Sequence, residues 1–170
     1  QLQIEAGTAD LGYDLQMLTA NLASLLAIGD PRVKLIPDGE RYGSRHYLAL
    51  NGAGANNGGT LQRLKVRQAI ALAVDKRAVA QVTGGAGVSR PLYQAVSSAT
   101  AGFRSGADRH VTPGDRGDPE AARRLLAEAG LPNGIRLRLA YPSTGTYPIE
   151  VQSVQASLRR AGIDVELFPY

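Results

Sequence analysis

Apolar positions change their period along this chain, and the changes mark its elements. Ile135, Leu137, Leu139 and Tyr141 alternate with Arg136 and Arg138, the spacing of a strand with one buried face. From Ile149 to Ala161 the period becomes helical, with Val151, Val154 and Leu158 on one stripe and Gly162 as the stop. Ile163, Val165 and Leu167 then alternate with Asp164 and Glu166. Strand, helix and strand with short connections predict a parallel, right-handed βαβ unit at the C-terminal end. The helix before it is equally legible. Asp118 is suited to the N-cap, Pro119 to the first helical position and Glu120 to the positive helix end. Ala122, Leu125, Leu126 and Ala129 form its buried stripe, and Gly130 followed by Leu131 closes it.

The earlier part of the chain reads less cleanly. Leu2 and Ile4 alternate with polar residues, and 6–13 reads as a turn into a short strand. Leu15, Leu18, Leu22, Leu25 and Leu26 lie on one helical face that Gly29 and Asp30-Pro31 terminate. Val33 and Leu35 suggest a strand that Pro37-Asp38-Gly39 turns, and Tyr47 to Leu50 suggest another. Asn51 to Thr60 is a Gly/Asn-rich loop. Leu64 to Val74 is helical, with Val66, Ala69, Ile70, Ala73 and Val74 on one face. Asp75 caps a second helix, Lys76 to Val82, which Gly84 and Gly85 end. Ser89 to Pro113 has little pattern, and Pro91-Leu92-Tyr93 and Gly102-Phe103 are its expected anchors.

Composition narrows the classes. The 170 residues suit one domain, with 44% hydrophobic residues, 5% aromatics and no Trp, so aliphatic side chains must fill the core. The net charge is +4, but Lys and Arg are scattered and form no basic stripe with stacking aromatics. That predicts a solvated basic surface and no nucleic-acid partner. The absence of Cys excludes disulfides, thiolate metal sites and cysteine nucleophiles. No apolar run approaches the ~20 residues that span a bilayer. The chain starts without Met and begins and ends inside apolar patterns, which reads as a piece of a longer protein.

A search for chemistry returns little. His46 and His110 are the only histidines, and neither has a partner at metal-ligand spacing, so each reads as structural or solvated. Asp10 with Asp14, and Asp115 with Asp118, are paired carboxylates without evidence of opposition. No phosphate loop or dinucleotide fingerprint is present, and no Gly-x-Ser-x-Gly elbow. Ser143-Thr144-Gly145-Thr146 lies between a strand and a helix, where hydroxyls and amides can meet a ligand's polar end or simply form a capped loop. The expectation is a binding protein without a cofactor or metal, and not an enzyme.

Three stretches in order resemble the peptide/nickel-binding family of ABC-importer solute-binding proteins, family 5. They are Gly7-Thr8-Ala9-Asp10-Leu11, then Tyr47 to Asn51 followed by Val66-Arg67-Gln68-Ala69-Ile70 up to Asp75-Lys76, and then Asp118-Pro119-Glu120-Ala121-Ala122 up to Gly130. Val154 to Leu158 and Gly162 to Leu167 look like the helix and strand that follow. Lys65 stands where an Arg is common, and the Gly/Asn loop replaces the usual connection before the helix.

The resemblance implies an α/β fold: a mixed-sheet lobe of a two-lobed, type II periplasmic-binding-protein-like structure with a C-terminal βαβ unit. Residues 1–170 would form a single lobe, most of the second, and would bind a solute, by default an oligopeptide. Its partners would be the solute and ABC-transporter permease subunits. The place would be extracellular, periplasmic or on the cell surface, with membrane contact only through a lipid anchor. The alternative is a regulatory lipoprotein of the same fold acting in cell-envelope assembly. Ligand contacts in such a lobe sit on loops at strand ends. Tyr13, Asp14, Asn51, Tyr141 and Thr144 are therefore the candidate ligand-binding residues, while Arg67 is expected to pair structurally with an acid or a carbonyl.

Overall fold

The computed structural model describes residues 6–8, 27–29, 31, 46–54, 56–85, 89–98 and 100–170. The expected elements around Leu2, Leu15–Leu26 and Val33–Leu35, and the candidates Tyr13 and Asp14, lie outside the described residues.

Among the described residues, the patterns above give the helices α1 (Leu64–Ala73), α2 (Lys76–Val82), α3 (Pro119–Glu128) and α4 (Tyr147–Arg160) and the strands β1 (Ile135–Tyr141) and β2 (Ile163–Pro169). The caps fall where the side chains dictate. Asp75 accepts from the Ala78 amide at 2.8 Å and starts α2. Asp118 accepts from the Ala121 amide at 2.8 Å and starts α3, with Pro119 in the first turn. α4 begins at Tyr147 rather than Ile149, because Pro148 fits the first turn and adds no unsatisfied amide.

β1 and β2 pair in parallel from Ile135↔Ile163 to Tyr141↔Pro169, and α4 crosses between them. Leu137 opposite Val165 and Leu139 opposite Leu167 face the core. Arg136 opposite Asp164 (3.6 Å) and Arg138 opposite Glu166 (4.0 Å) face water. The register starts at a close backbone approach. The Ile135 amide donates to the Gly162 carbonyl at 3.1 Å, and a Cβ on Gly134 would stand 2.0 Å from that oxygen. Both glycines also hold positive φ, +83° and +79°.

The core joins this unit to the two helices ahead of it. Val66, Ala69, Ile70 and Ala73 of α1 meet Ala122 and Leu126 of α3, then Val154, Leu158, Ile163 and Val165. Polar ties flank that seam. Arg63 donates to the Ala129 carbonyl at 2.7 Å, Lys65 pairs with Glu128 at 2.8 Å, and the Asp118 amide donates to Leu72 at 2.7 Å. Lys65 holds the Glu128 carboxyl below the usual carboxylate range through its hydrogen bond and charge.

Three expectations are corrected. Tyr47–Leu50 forms no strand. Leu48 and Leu50 pack on the core, but a concave space separates the segment from β1, so no ladder forms. The end of the Gly/Asn loop is 3-10 in character, Asn56–Gln62, with a bend where Gly58 and Gly59 take positive φ. Arg67 secures it by donating to the Leu61 (2.9 Å) and Gln62 (2.7 Å) carbonyls, the structural role expected of it. Phe103 is exposed, while Tyr93 ties 89–112 to the helices and turn beside it. Its hydroxyl donates to Asp115, its ring carries the Lys76 ammonium at 3.5 Å, and its carbonyl takes the Arg109 amide at 3.3 Å.

Burial pulls the Lys76 ammonium below its usual value, opposed by Asp115 and Asp108, and burial with the Asp115 bond pushes the Tyr93 phenol above 10.0. A raised phenol contributes stability that is full below pH 10 and is lost as the pH climbs beyond it. Tyr93→Phe should therefore cost about 1 kcal/mol at pH 8, from the lost hydrogen bond. Its deficit against the wild type should narrow above pH 10, read from unfolding midpoints between pH 8 and 11. Gly134→Ala should cost more than about 2 kcal/mol, since it combines a left-handed φ with a backbone clash. Gly130→Ala, also at positive φ (+79°) but with open space around it, should cost only about 1 kcal/mol when both variants are unfolded in urea.

Candidate functional site

Polar and aromatic side chains collect where β1 ends and α4 begins. Tyr141 closes β1 half-buried, and its carbonyl accepts the Tyr170 amide at 3.0 Å. Ser143 donates both its amide and its hydroxyl to the Tyr170 carbonyl, each at 3.0 Å, which ties the two strand ends together. Thr144 is exposed on the turn, and Gly145 at φ +61° lets the chain reverse into α4.

The first turn of α4 then turns a carboxylate inward. Glu150 shares a stripe with Val154 and Leu158 and is 5% exposed. A buried carboxylate needs partners on both oxygens. The Thr146 hydroxyl donates to Oε1, and His46 Nδ1 lies 2.5 Å from Oε2. The imidazole also stacks on Tyr147, with centroids 5.2 Å apart and planes at 23°. The amino end of a helix favours the negative charge of Glu150 as well. Tyr47, beside His46, is 83% exposed.

The segment 46–51 runs from this corner across the face of β1. Leu48, Ala49, Leu50 and Asn51 line a cavity of about 330 Å³ with Leu137, Arg138, Leu139, Ile70 and Leu158. Asn51 is thus placed against the middle of β1, while Tyr141 and Thr144 stand outside that lining. His46 is the residue of this segment that reaches the α4 corner. Sequence reasoning treated it as structural or solvated and passed over Glu150. The available signal was Glu150 itself, a carboxylate four residues before Val154 on a core-facing stripe. Its partner stands 104 residues away, beyond any local pattern. Among the described residues no cluster of three His, Cys, Asp or Glu side chains could hold a metal ion.

This α/β lobe, with polar loops at its strand ends, has the build of a type II periplasmic binding protein. Residues 2–170 match the model for bacterial extracellular solute-binding proteins, family 5 Middle, and the chain belongs to that family. A heme-binding protein A from Haemophilus influenzae is 36% identical over 137 residues, 78% of this chain and 21% of that protein. Among solved structures, the PBP/SBP MoaA of A. tumefaciens R10 in complex with mannopinic acid superposes with a TM-score of 0.69. It is 25% identical and covers 99% of this chain and 31% of its own. The clavulanic acid biosynthesis oligopeptide binding protein 2 gives 0.58 at 27% identity, over 65% of this chain and 20% of its own. The chain therefore spans about a fifth to a third of the length of these relatives.

The buried pair makes a stability prediction. His46→Ala should cost about 2 kcal/mol although the side chain is exposed, because it strands one oxygen of a buried carboxylate. In a Glu150→Met background, where the carboxylate is gone, the same substitution should cost under about 0.5 kcal/mol. Urea unfolding of the two single variants and the double variant measures the coupling.

Proposed function

We propose that this chain is one lobe, most of the second, of a longer two-lobed extracellular receptor that captures a solute for an ABC importer. The observation that carries this reading is the family match over residues 2–170. The geometry supports it. Hydroxyls, aromatic rings and an imidazole gather at one strand end, the region where α/β lobes bind ligands. Tyr141 and Thr144 belong to that end and Asn51 to the adjoining cavity wall. These three, with Tyr13 and Asp14, are the proposed cleft residues. Closure of the other lobe over this face would be a hinge motion that selects the liganded state. The receptor works outside the cytoplasmic membrane, in the periplasm or at the cell surface, and delivers to permease subunits.

The default solute is an oligopeptide, as in the oligopeptide binding protein above. A second reading, a heme solute, is favoured by the 36% identity to a heme-binding protein. Thermal unfolding of the full-length protein against peptides, opines, metals, sugars and hemin separates these. A ligand in hundredfold excess over its Kd adds roughly 2.7 kcal/mol and raises the midpoint accordingly. Peptides are expected to give the shift, and a shift from hemin instead selects the second reading. No shift from any class, with a well-folded protein, overturns the receptor reading in favour of a regulatory lipoprotein.

A further inference from the structure

The sequence sets Asn before Gly at Asn51–Gly52, Asn57–Gly58 and Asn133–Gly134. Gly has no side chain to shield its own amide nitrogen, so an Asn before it is open to attack on its carboxamide by the backbone that follows. The fold treats the first and last of these pairs differently. Asn133–Gly134 is locked. The Gly134 amide donates to the Leu131 carbonyl at 3.0 Å, and the next amide, that of Ile135, is held by Gly162 at 3.1 Å. Gly134 also lies so close to the Gly162 carbonyl that a Cβ would stand 2.0 Å from its oxygen. To react, the Gly134 nitrogen must leave the turn that fixes the sheet register.

Asn51–Gly52 is open. The Gly52 amide donates to the Leu50 carbonyl, two residues back, at 2.9 Å, the bent bond of a three-residue turn. Asn51 is exposed, and its carboxamide is folded over the turn that follows. Only the missing side chain of Gly54 leaves room for it, since a Cβ there would stand 3.0 Å from Cγ and 2.7 Å from Nδ2 of Asn51. We propose that Asn51 is a site of spontaneous modification, at which the Gly52 nitrogen closes a cyclic imide on the carboxamide carbon. The bond from that nitrogen to Cγ forms, the Cγ–Nδ2 bond breaks, and the proton of the Gly52 amide leaves with Nδ2 as ammonia. Water then opens the imide at one of its two carbonyls and leaves aspartate or isoaspartate. Either product places a negative charge on the cavity wall that Asn51 shares with Leu48, Leu50 and Arg138. Isoaspartate also lengthens the backbone where the segment 46–51 ends. The chemistry needs no solute and stands apart from the receptor reading.

The test is peptide mapping by mass spectrometry of the full-length protein, aged in mildly alkaline buffer with and without urea. It reads the exchange of amide for acid at each Asn–Gly pair. In the folded protein Asn51 should convert at least about tenfold faster than Asn133, which must wait for a local opening. In urea the two rates should come within about twofold of each other. Gly52→Ala checks the chemistry. Gly52 is not at positive φ, and an added Cβ would meet only the Leu61 carbonyl at 3.9 Å, so the variant should fold as the wild type does. It should convert Asn51 about tenfold more slowly, because a side chain now shields the attacking nitrogen. Equal rates at Asn51 and Asn133 in the folded protein overturn the proposal. So does a lead of Asn51 that persists in urea, or a Gly52→Ala variant that converts as fast as the wild type.

Discussion

The close approach of Gly134 to Gly162 sets the register on which the rest of the described structure depends. Two glycines at positive φ let β1 and β2 start side by side, with the Ile135 amide on the Gly162 carbonyl. A slip of one residue would send Leu137 and Val165 to water and Arg136 and Asp164 into the core. With the register held, every later pair follows, down to Tyr141 against Pro169. The far end of the unit is then fixed as well. The turn through Ser143 to Gly145 leaves β1 at a defined point, and α4 must begin where Glu150 faces inward. The geometry of the candidate site is thus inherited from a backbone contact at the opposite end of the strand.

Polar groups in the interior show how tightly this arrangement is held. Among the described residues no buried side-chain nitrogen or oxygen lacks a partner. Ser157, fully buried in α4, returns its hydroxyl to the Ser153 carbonyl at 2.8 Å. Gln155 donates to the Val165 carbonyl at 2.6 Å and links α4 to β2. Asp75 serves twice, capping α2 and meeting Arg160 at 3.4 Å at the end of α4. Such doubled roles make α2 and α4 one unit. By contrast, the exposed Arg–Asp and Arg–Glu pairs on the outer face of the sheet are worth little each, about 0 to 1 kcal/mol. They matter for solubility and for disfavouring the flipped register.

Legibility in the sequence followed the range of the interaction. The starts of α2 and α3 were readable to the residue because their caps lie three positions from the amides they satisfy. The alternation in β1 and β2, and the apolar stripe of α4, were readable because one face of each packs on a common core. The family was readable because its motifs are these same local patterns in a fixed order. Failures came where the deciding partner was distant or absent. Tyr47 to Leu50 has the alternation of a strand, and Leu48 and Leu50 do pack inward, but alternation reports burial and not pairing. Phe103 and Tyr93 look alike as aromatic anchors. Only Tyr93 has a carboxylate and an ammonium brought to it by other parts of the chain. His46 stands out only once Glu150 is seen to be buried.

That last case bears on how segment 46–51 is held. A binding group that must be ordered when its ligand arrives subtracts its ordering cost from the affinity. His46 is ordered in advance, since the buried Glu150 carboxylate already holds its ring. The carboxylate in turn needs the imidazole, because an unpaired charge at that depth would destabilise the lobe. The order of segment 46–51 and the stability of the α4 corner are therefore coupled through one hydrogen bond.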